Sequence, residues 1–287
     1  MTAGGGDGDF GMVRAPRLAR ARARAAISIV SPLALATLVL ASCATAPLVQ
    51  GPLVAIIEPR PSPGLDLSKW SLRWQEEFDG PTLDLVRWRY LKAGPELGFP
   101  AGIDSARGTV RLDGLGHLVL STRLLGGRIE VPLIGTRDGG AQSYGYFECS
   151  IRAQRDDHAT AFVRLVFASG ASIDLVRASQ PSRDLALQSV GPGLPGGGRR
   201  QSLRVAGLSE LFHRFGLLWS PSGYSFYVDG VPTLSVKAAI TELPSFIVLG
   251  MSVDKAGAAA IGSKPGYHDE LVLDYVRIYR SLEGEGP

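Results

Sequence analysis

Cysteine and histidine are scarce in this chain: two cysteines, Cys43 and Cys149, and four scattered histidines in 287 residues. Two thiols cannot build a disulfide framework. Zinc centres need several Cys or His ligands at set spacings, and none occur here. A surplus of charge is also missing. Five arginines (Arg14, Arg17, Arg20, Arg22 and Arg24) crowd the N-terminus against Asp7 and Asp9, and the 245 residues from Cys43 onward hold 25 basic and 25 acidic groups. A neutral body lacks the basic footprint that nucleic-acid binding needs, so no nucleic-acid partner is expected. Long helical periodicity is absent from Trp70 onward, and no repeat of fixed period occurs, which disfavours bundles, propellers and solenoids. With 45% hydrophobic and 20% charged residues, the composition excludes disorder and suits one substantial core.

What is present at the N-terminus reads as an address. The uncharged run Ala25–Leu40 follows the arginine cluster, is too short for a bilayer span, contains Pro32 and leads into Leu40-Ala41-Ser42-Cys43. This order resembles a secretory signal over residues 1–42 ending in a bacterial lipobox. The resemblance implies acylation of Cys43, with ordinary cleavage nearby as the alternative. Expected localisation is therefore export, as a membrane-anchored lipoprotein facing the periplasm or cell surface. Met12 is a more natural start than Met1. Residues 43–67 carry Pro47, Pro52, Pro59, Pro61 and Pro63, a pattern expected of an extended tether.

Residues 68–282 read as strands. Short segments rich in Val, Ile, Leu, Phe and Tyr alternate with Gly, Asp, Ser and Pro, as in 116–123, 144–152, 224–230 and 271–279. The expectation is all-β, a sandwich or barrel. Gly191–Gly198 and Ala256–Gly266 read as flexible loops, and Leu208–His213 as the one helical turn.

Six markers then fall in a recognisable order: Trp74-Gln75-Glu76-Glu77-Phe78-Asp79-Gly80; Leu83-Asp84 with Trp88; Tyr144-Gly145-Tyr146-Phe147-Glu148; Phe212-His213-x-Phe215-Gly216-x-x-Trp219; Phe226-Tyr227-Val228-Asp229-Gly230; and Leu273-Asp274-Tyr275-Val276-Arg277-Ile278-Tyr279. This order resembles family-16 glycoside hydrolases, the laminarinases and lichenases. The resemblance implies a two-sheet antiparallel β-sandwich, the concanavalin A-like jelly roll, with a polysaccharide partner in a cleft on one face.

The catalytic strand departs from that family. Its pattern is Glu-x-Asp-x-x-Glu (nucleophile, assisting aspartate, acid/base), held on one face by alternation and a bulge. Here the stretch is Ser172-Ile173-Asp174-Leu175-Val176-Arg177. A serine without an adjacent base is a poor nucleophile at an anomeric carbon, and arginine stays protonated and cannot cycle as an acid and base. Hydrolysis is therefore expected to be lost, with an Asp174–Arg177 ion pair filling the old site. The alternatives are carboxylates relocated to Glu148, Asp156 or Asp157, or a purely structural or protein-binding role. The family's Trp-Pro-Ala-Phe-Trp segment reads Ala159-Thr160-Ala161-Phe162-Val163, without its sugar-stacking tryptophans. Tyr144, Tyr146, Phe162 and Tyr224 are left as candidates to line a groove. Exposed rings on an open face would favour sugar; arginine and aliphatic side chains filling it would favour the structural role.

No cofactor is required on this reading. The resemblance does imply a structural calcium held by Glu77, the Gly116 carbonyl and Asp274; these supply only part of its shell, and the alternative is that both acids satisfy backbone donors. His213 and Trp219 read as framework and core.

Overall fold

The computed structural model describes residues 55–57, 66–94, 103–136, 143–178, 184–240 and 244–282. The signal segment, Cys43 and most of the tether lie outside the described residues.

Alternating apolar residues give strands with one buried face, and two such faces close on each other. The first sheet has eight strands: β1 (Ala55–Ile57), β13 (Arg199–Val205), β12 (Leu185–Val190), β11 (Ser172–Ala178), β10 (Thr160–Phe167), β17 (Ser245–Ser252), β8 (Leu133–Thr136) and β3 (Trp88–Tyr90), in that spatial order. Its pairings are antiparallel except for β1 beside β13, so three residues of the expected tether add a parallel edge strand.

The second sheet has ten strands. Its main path is β16 (Val231–Lys237), β15 (Gly223–Val228), β14 (His213–Ser220), β9 (Gly145–Arg152), β18 (His268–Ser281), β6 (Leu118–Leu125), β7 (Arg128–Val131) and β4 (Ile103–Ser105). β2 (Trp70–Glu76) pairs with β18, β5 (Val110–Leu112) pairs with β6, and β4 runs parallel to β7. The jelly-roll expectation holds.

The core lies between the sheets. Phe147, Phe215, Leu217, Trp219 and Phe226 of the second sheet meet Leu165, Phe167, Ile173, Val176, Leu203 and Leu249 of the first, all nearly inaccessible. Phe167 meets Trp219 edge-on at 5.4 Å between ring centres. Each such side chain contributes about 1.5–3 kcal/mol by leaving water.

One local expectation changes and one is sharpened. Residues 255–262, overlapping the segment 256–266 read as a loop, form helix α1 (Lys255–Gly262), capped by Asp254, whose Oδ1 accepts from Gly257 N–H at 2.7 Å. Leu208–His213, read as a helical turn, holds a single such turn, with Leu211 N–H donating to the Gly207 carbonyl at 2.8 Å, and its last residue, His213, opens β14.

Candidate functional site

β10 and β11 form a hairpin around Ser169-Gly170, with Arg164 opposite Asp174 and Phe162 opposite Arg177. Between those pairs the register slips by one residue. Val163 pairs with Val176, leaving Leu175 as the extra residue, and the β11–β12 pairing slips at the same place. This is a bulge, and it resets the alternation of faces. Ile173, Val176 and Ala178 enter the core, so Ser172, Asp174 and Arg177 share the outer face. The bulge expected from the family pattern is present, although the residues it displays have changed.

Asp174 does not pair with Arg177 as expected. Arg164 Nε donates to Asp174 Oδ1 at 2.8 Å, and the Ser189 hydroxyl donates to Oδ2 at 3.3 Å. The direct opposition of Arg164 and Asp174 in the hairpin makes that contact the shorter reach; Arg177 stands one row further along. The Arg164 guanidinium also lies over the Phe162 ring at 4.4 Å. Arg177 has no ion-pair partner among the described residues.

Rows across the sheet map this face. One runs Arg200–Ser189–Asp174–Arg164–Val248–Gly135–Arg89 over seven strands. The next runs Ser202–Leu187–Arg177–Phe162–Gly250–Leu133, and Arg204 and Leu185 follow. Two rings lie on it: buried Phe162 beneath Arg164, and Phe246 with Arg89 over it at 5.7 Å. Asp174 is the single carboxylate on these rows.

Of the four rings read as groove-lining, only Phe162 is on this face. Tyr146 points from the outer face of the opposite sheet, donating to Glu148 at 2.9 Å, and Tyr275 donates to the same carboxylate at 2.8 Å. Burial, then the Glu148 charge, hold both phenols protonated far above their ordinary range. Tyr224 is a core residue 2% exposed, and burial pushes its phenol up to about 12. Tyr144 stands edge-on to core Trp219 and donates to the Ile240 carbonyl at 2.8 Å. Alternation predicts that these tyrosines leave the strand surface but not on which sheet or side.

The relocated carboxylates are not in the site. Glu148 belongs to the second sheet and is committed to two tyrosines. Asp156 and Asp157 sit in the turn before β10, beyond Thr160 and so more than about 13 Å of strand from Arg164. There His158 Nδ1 meets Asp157 at 2.8 Å, and Lys264 contacts Asp156 and His158. These three acidic and imidazole groups cluster closely enough for a metal, but the lysine ammonium already sits among them.

His213 is framework: its Nδ1 meets Asp229 Oδ2 at 2.8 Å in a 1% exposed site. Around the expected calcium position, Arg277 holds the Glu77 carboxylate bidentately at 2.8 and 2.7 Å, so that side chain is not free to ligate. The backbone nevertheless converges. A Cβ added at Gly116 would stand 3.1 Å from Asp79 Oδ1 and 3.9 Å from the Glu77 carbonyl. Asp274 is the extra residue of a bulge in β18, just past the Leu273–Leu118 pair and beyond the Val276–Glu76 pair. Those registers set it between the Glu77–Asp79 and Gly116–His117 segments. The donors that fit a hard cation are thus Asp79, Asp274 and carbonyls, with Glu77 contributing only its main chain.

No family model matches the sequence. A curated xylanase/β-glucanase of Ruminococcus flavefaciens is 25% identical over 162 residues, covering 50% of this chain and 19% of that protein, so the chain spans about a fifth of its relative's length. Among solved structures, the laminarinase of Rhodothermus marinus superposes with a TM-score of 0.65 at 21% identity, covering 74% of this chain and 98% of that one. The laminarinase of Flavobacterium sp. UMI-01 gives 0.63 at 16%, covering 73% and 100%. The family-16 endo-β-1,3(4)-glucanase SCLam gives 0.63 at 19%, covering 75% and 92%. The chain therefore has the jelly-roll fold of the family-16 laminarinases and endo-glucanases.

Proposed function

We propose that this chain is a lipid-anchored, family-16-like domain that binds polysaccharide at the cell envelope without hydrolysing it. One observation carries the loss of hydrolysis: the bulge still aims positions 172, 174 and 177 at one face, yet the single carboxylate there, Asp174, is neutralised by Arg164. A retaining mechanism needs two carboxyl groups about 5–5.5 Å apart, and an inverting one needs two at roughly 6.5–9.5 Å. The described rows of this face offer one. The full chain is expected to release no reducing sugar from laminarin or lichenan while being retarded in gels containing a polysaccharide. Turnover on either substrate would reverse the reading.

Anchoring through Cys43 rests on the lipobox-like sequence. Fatty-acid labelling of the wild-type chain, lost in Cys43→Ser together with membrane partitioning, is the expected outcome. A structural calcium at Asp79, Asp274 and the neighbouring carbonyls is part of the proposal. Chelation is expected to lower the melting midpoint of the wild type and to leave Asp274→Asn unchanged.

A second reading, a structural or protein-binding envelope domain, is favoured by the arginine and aliphatic content of the same face, where Leu185, Leu187, Val166 and Val248 interleave with the arginines and neither Phe162 nor Phe246 is an exposed ring. Polysaccharide stays the first reading because Arg200 and Arg204 reach solvent instead of filling the face. Absence of binding to every glycan tested would select it.

A further inference from the structure

The outer face of the eight-stranded sheet is built of arginines where a glucan cleft would keep acids and tryptophans. Arg164, Arg177, Arg200 and Arg204 all project from it, on three strands of the β13–β10 half. Arg200 and Arg204 are exposed and Arg177 is half-buried. None of these three has an ion-pair partner among the described residues, and Asp174 is already engaged by Arg164. The body as a whole is neutral, so this excess is local.

Spacing decides what kind of anion fits. Arg200 and Arg164 lie in one row three strands apart, about 14 Å at the usual strand separation. Arg200 and Arg204 are four residues apart on β13, about 13 Å. Arg177 falls between them, one row over. Side chains standing on one sheet face keep roughly the separation of their backbones. Guanidinium groups so spread do not converge on one small anion; they meet charges repeated along a chain. Nucleic acid carries a charge every ~1.7 Å of duplex, far denser than this array. A polysaccharide bearing a carboxylate or sulfate on every unit or two matches it better. The planar, bidentate fork of arginine suits both groups. Ser172 and Ser202 stand among the arginines as hydroxyl partners for sugar oxygens.

We infer that the face around Arg177, Arg200 and Arg204 binds an anionic polysaccharide, its carboxylate or sulfate groups pairing with the arginines. This rests on the polysaccharide-binding reading above and narrows its ligand class.

The test compares laminarin with chemically sulfated laminarin, which share one backbone, and adds polygalacturonate to separate sulfate from carboxylate. Affinity electrophoresis and biolayer interferometry are run on the full chain at two salt concentrations. Sulfated laminarin, polygalacturonate or both are expected to bind at least tenfold tighter than laminarin, less so at high salt. The variant Arg177→Gln/Arg200→Gln is expected to lose at least tenfold on the anionic ligand, and Arg73→Gln, an exposed arginine on the other sheet, less than twofold. Circular dichroism confirms that each variant is folded. Equal affinity for laminarin and both anionic glycans would overturn the charge inference and leave the polysaccharide reading standing. No binding to any glycan would overturn both. Equally tight binding of polyglutamate or duplex DNA would also overturn it, marking a general polyanion surface, as would an unaffected Arg177→Gln/Arg200→Gln variant.

Discussion

Replacing Arg164 by methionine removes the cation that neutralises Asp174 while keeping a chain of similar length over Phe162. The Asp174 side chain is 8% exposed and that of Arg164 17%, so the carboxylate left behind has little water and only the Ser189 hydroxyl at 3.3 Å. Breaking a buried pair by removing one partner costs about 3–5 kcal/mol, and the partial exposure of Arg164 places this case near the lower end, about 3 kcal/mol. For a domain of this size that lowers the melting midpoint by about 6–12 °C. Asp174→Leu alone strands the arginine instead, but Arg164→Met/Asp174→Leu removes both charges and is expected to recover most of the loss. Urea unfolding read by tryptophan fluorescence suits the measurement, because Trp88 and Trp219 are fully buried. The denaturant slope is expected to stay constant while the midpoint moves. The cycle closes on a coupling energy of about 2 kcal/mol. Additivity within about 0.5 kcal/mol would refute the pairing of Asp174 with Arg164 as an energetic unit.

Other consequences are open to direct measurement. Gly216→Ala puts a Cβ 2.2 Å from the Tyr146 hydroxyl and 2.7 Å from its ring, displacing a phenol that bonds Glu148; a loss of about 2–3 kcal/mol in urea unfolding is expected, and a variant within about 0.5 kcal/mol of wild type would contradict that packing. Tyr146, Tyr224, Tyr267 and Tyr275 are all raised, primarily by burial. A phenol whose folded pKa exceeds its unfolded value of about 10 contributes stability that is complete below pH 10 and lost as pH climbs through the folded value. Stability should thus decline from about pH 10 upward, through about 12 for Tyr224. Tyrosinate absorbance from these residues should rise together with the loss of circular dichroism, and full ionisation in a still-folded protein would contradict it.

Much of this was legible in the chain itself, and the failures are informative. The strand segments around Leu118–Arg123, Tyr146–Ile151 and Leu271–Tyr279 alternate clearly enough to be read. The family pattern then supplied the bulge that puts Ser172, Asp174 and Arg177 together. The partner of Asp174 is set by hairpin register and not by the catalytic pattern: counting back from the Ser169-Gly170 turn pairs 166 with 172 and 164 with 174. Tyr146 and Tyr224 fall off this face because period-2 alternation gives parity along a strand, not the sheet to which the strand belongs. Helix α1 was hidden by Gly257 and Gly262. The Asp254 cap and the run Ala258-Ala259-Ala260 were its trace.

The extra residue at Leu175 has a consequence for how this surface changes. It separates the identity of residue 177 from its direction: whatever side chain occupies that position looks outward, because the parity is set upstream by the backbone. Positions 172 and 177 therefore behave as sockets in a fixed floor. Exchanging their occupants rewrites the chemistry of the face, from acid to base or from donor to acceptor, while the path of the chain stays as it is.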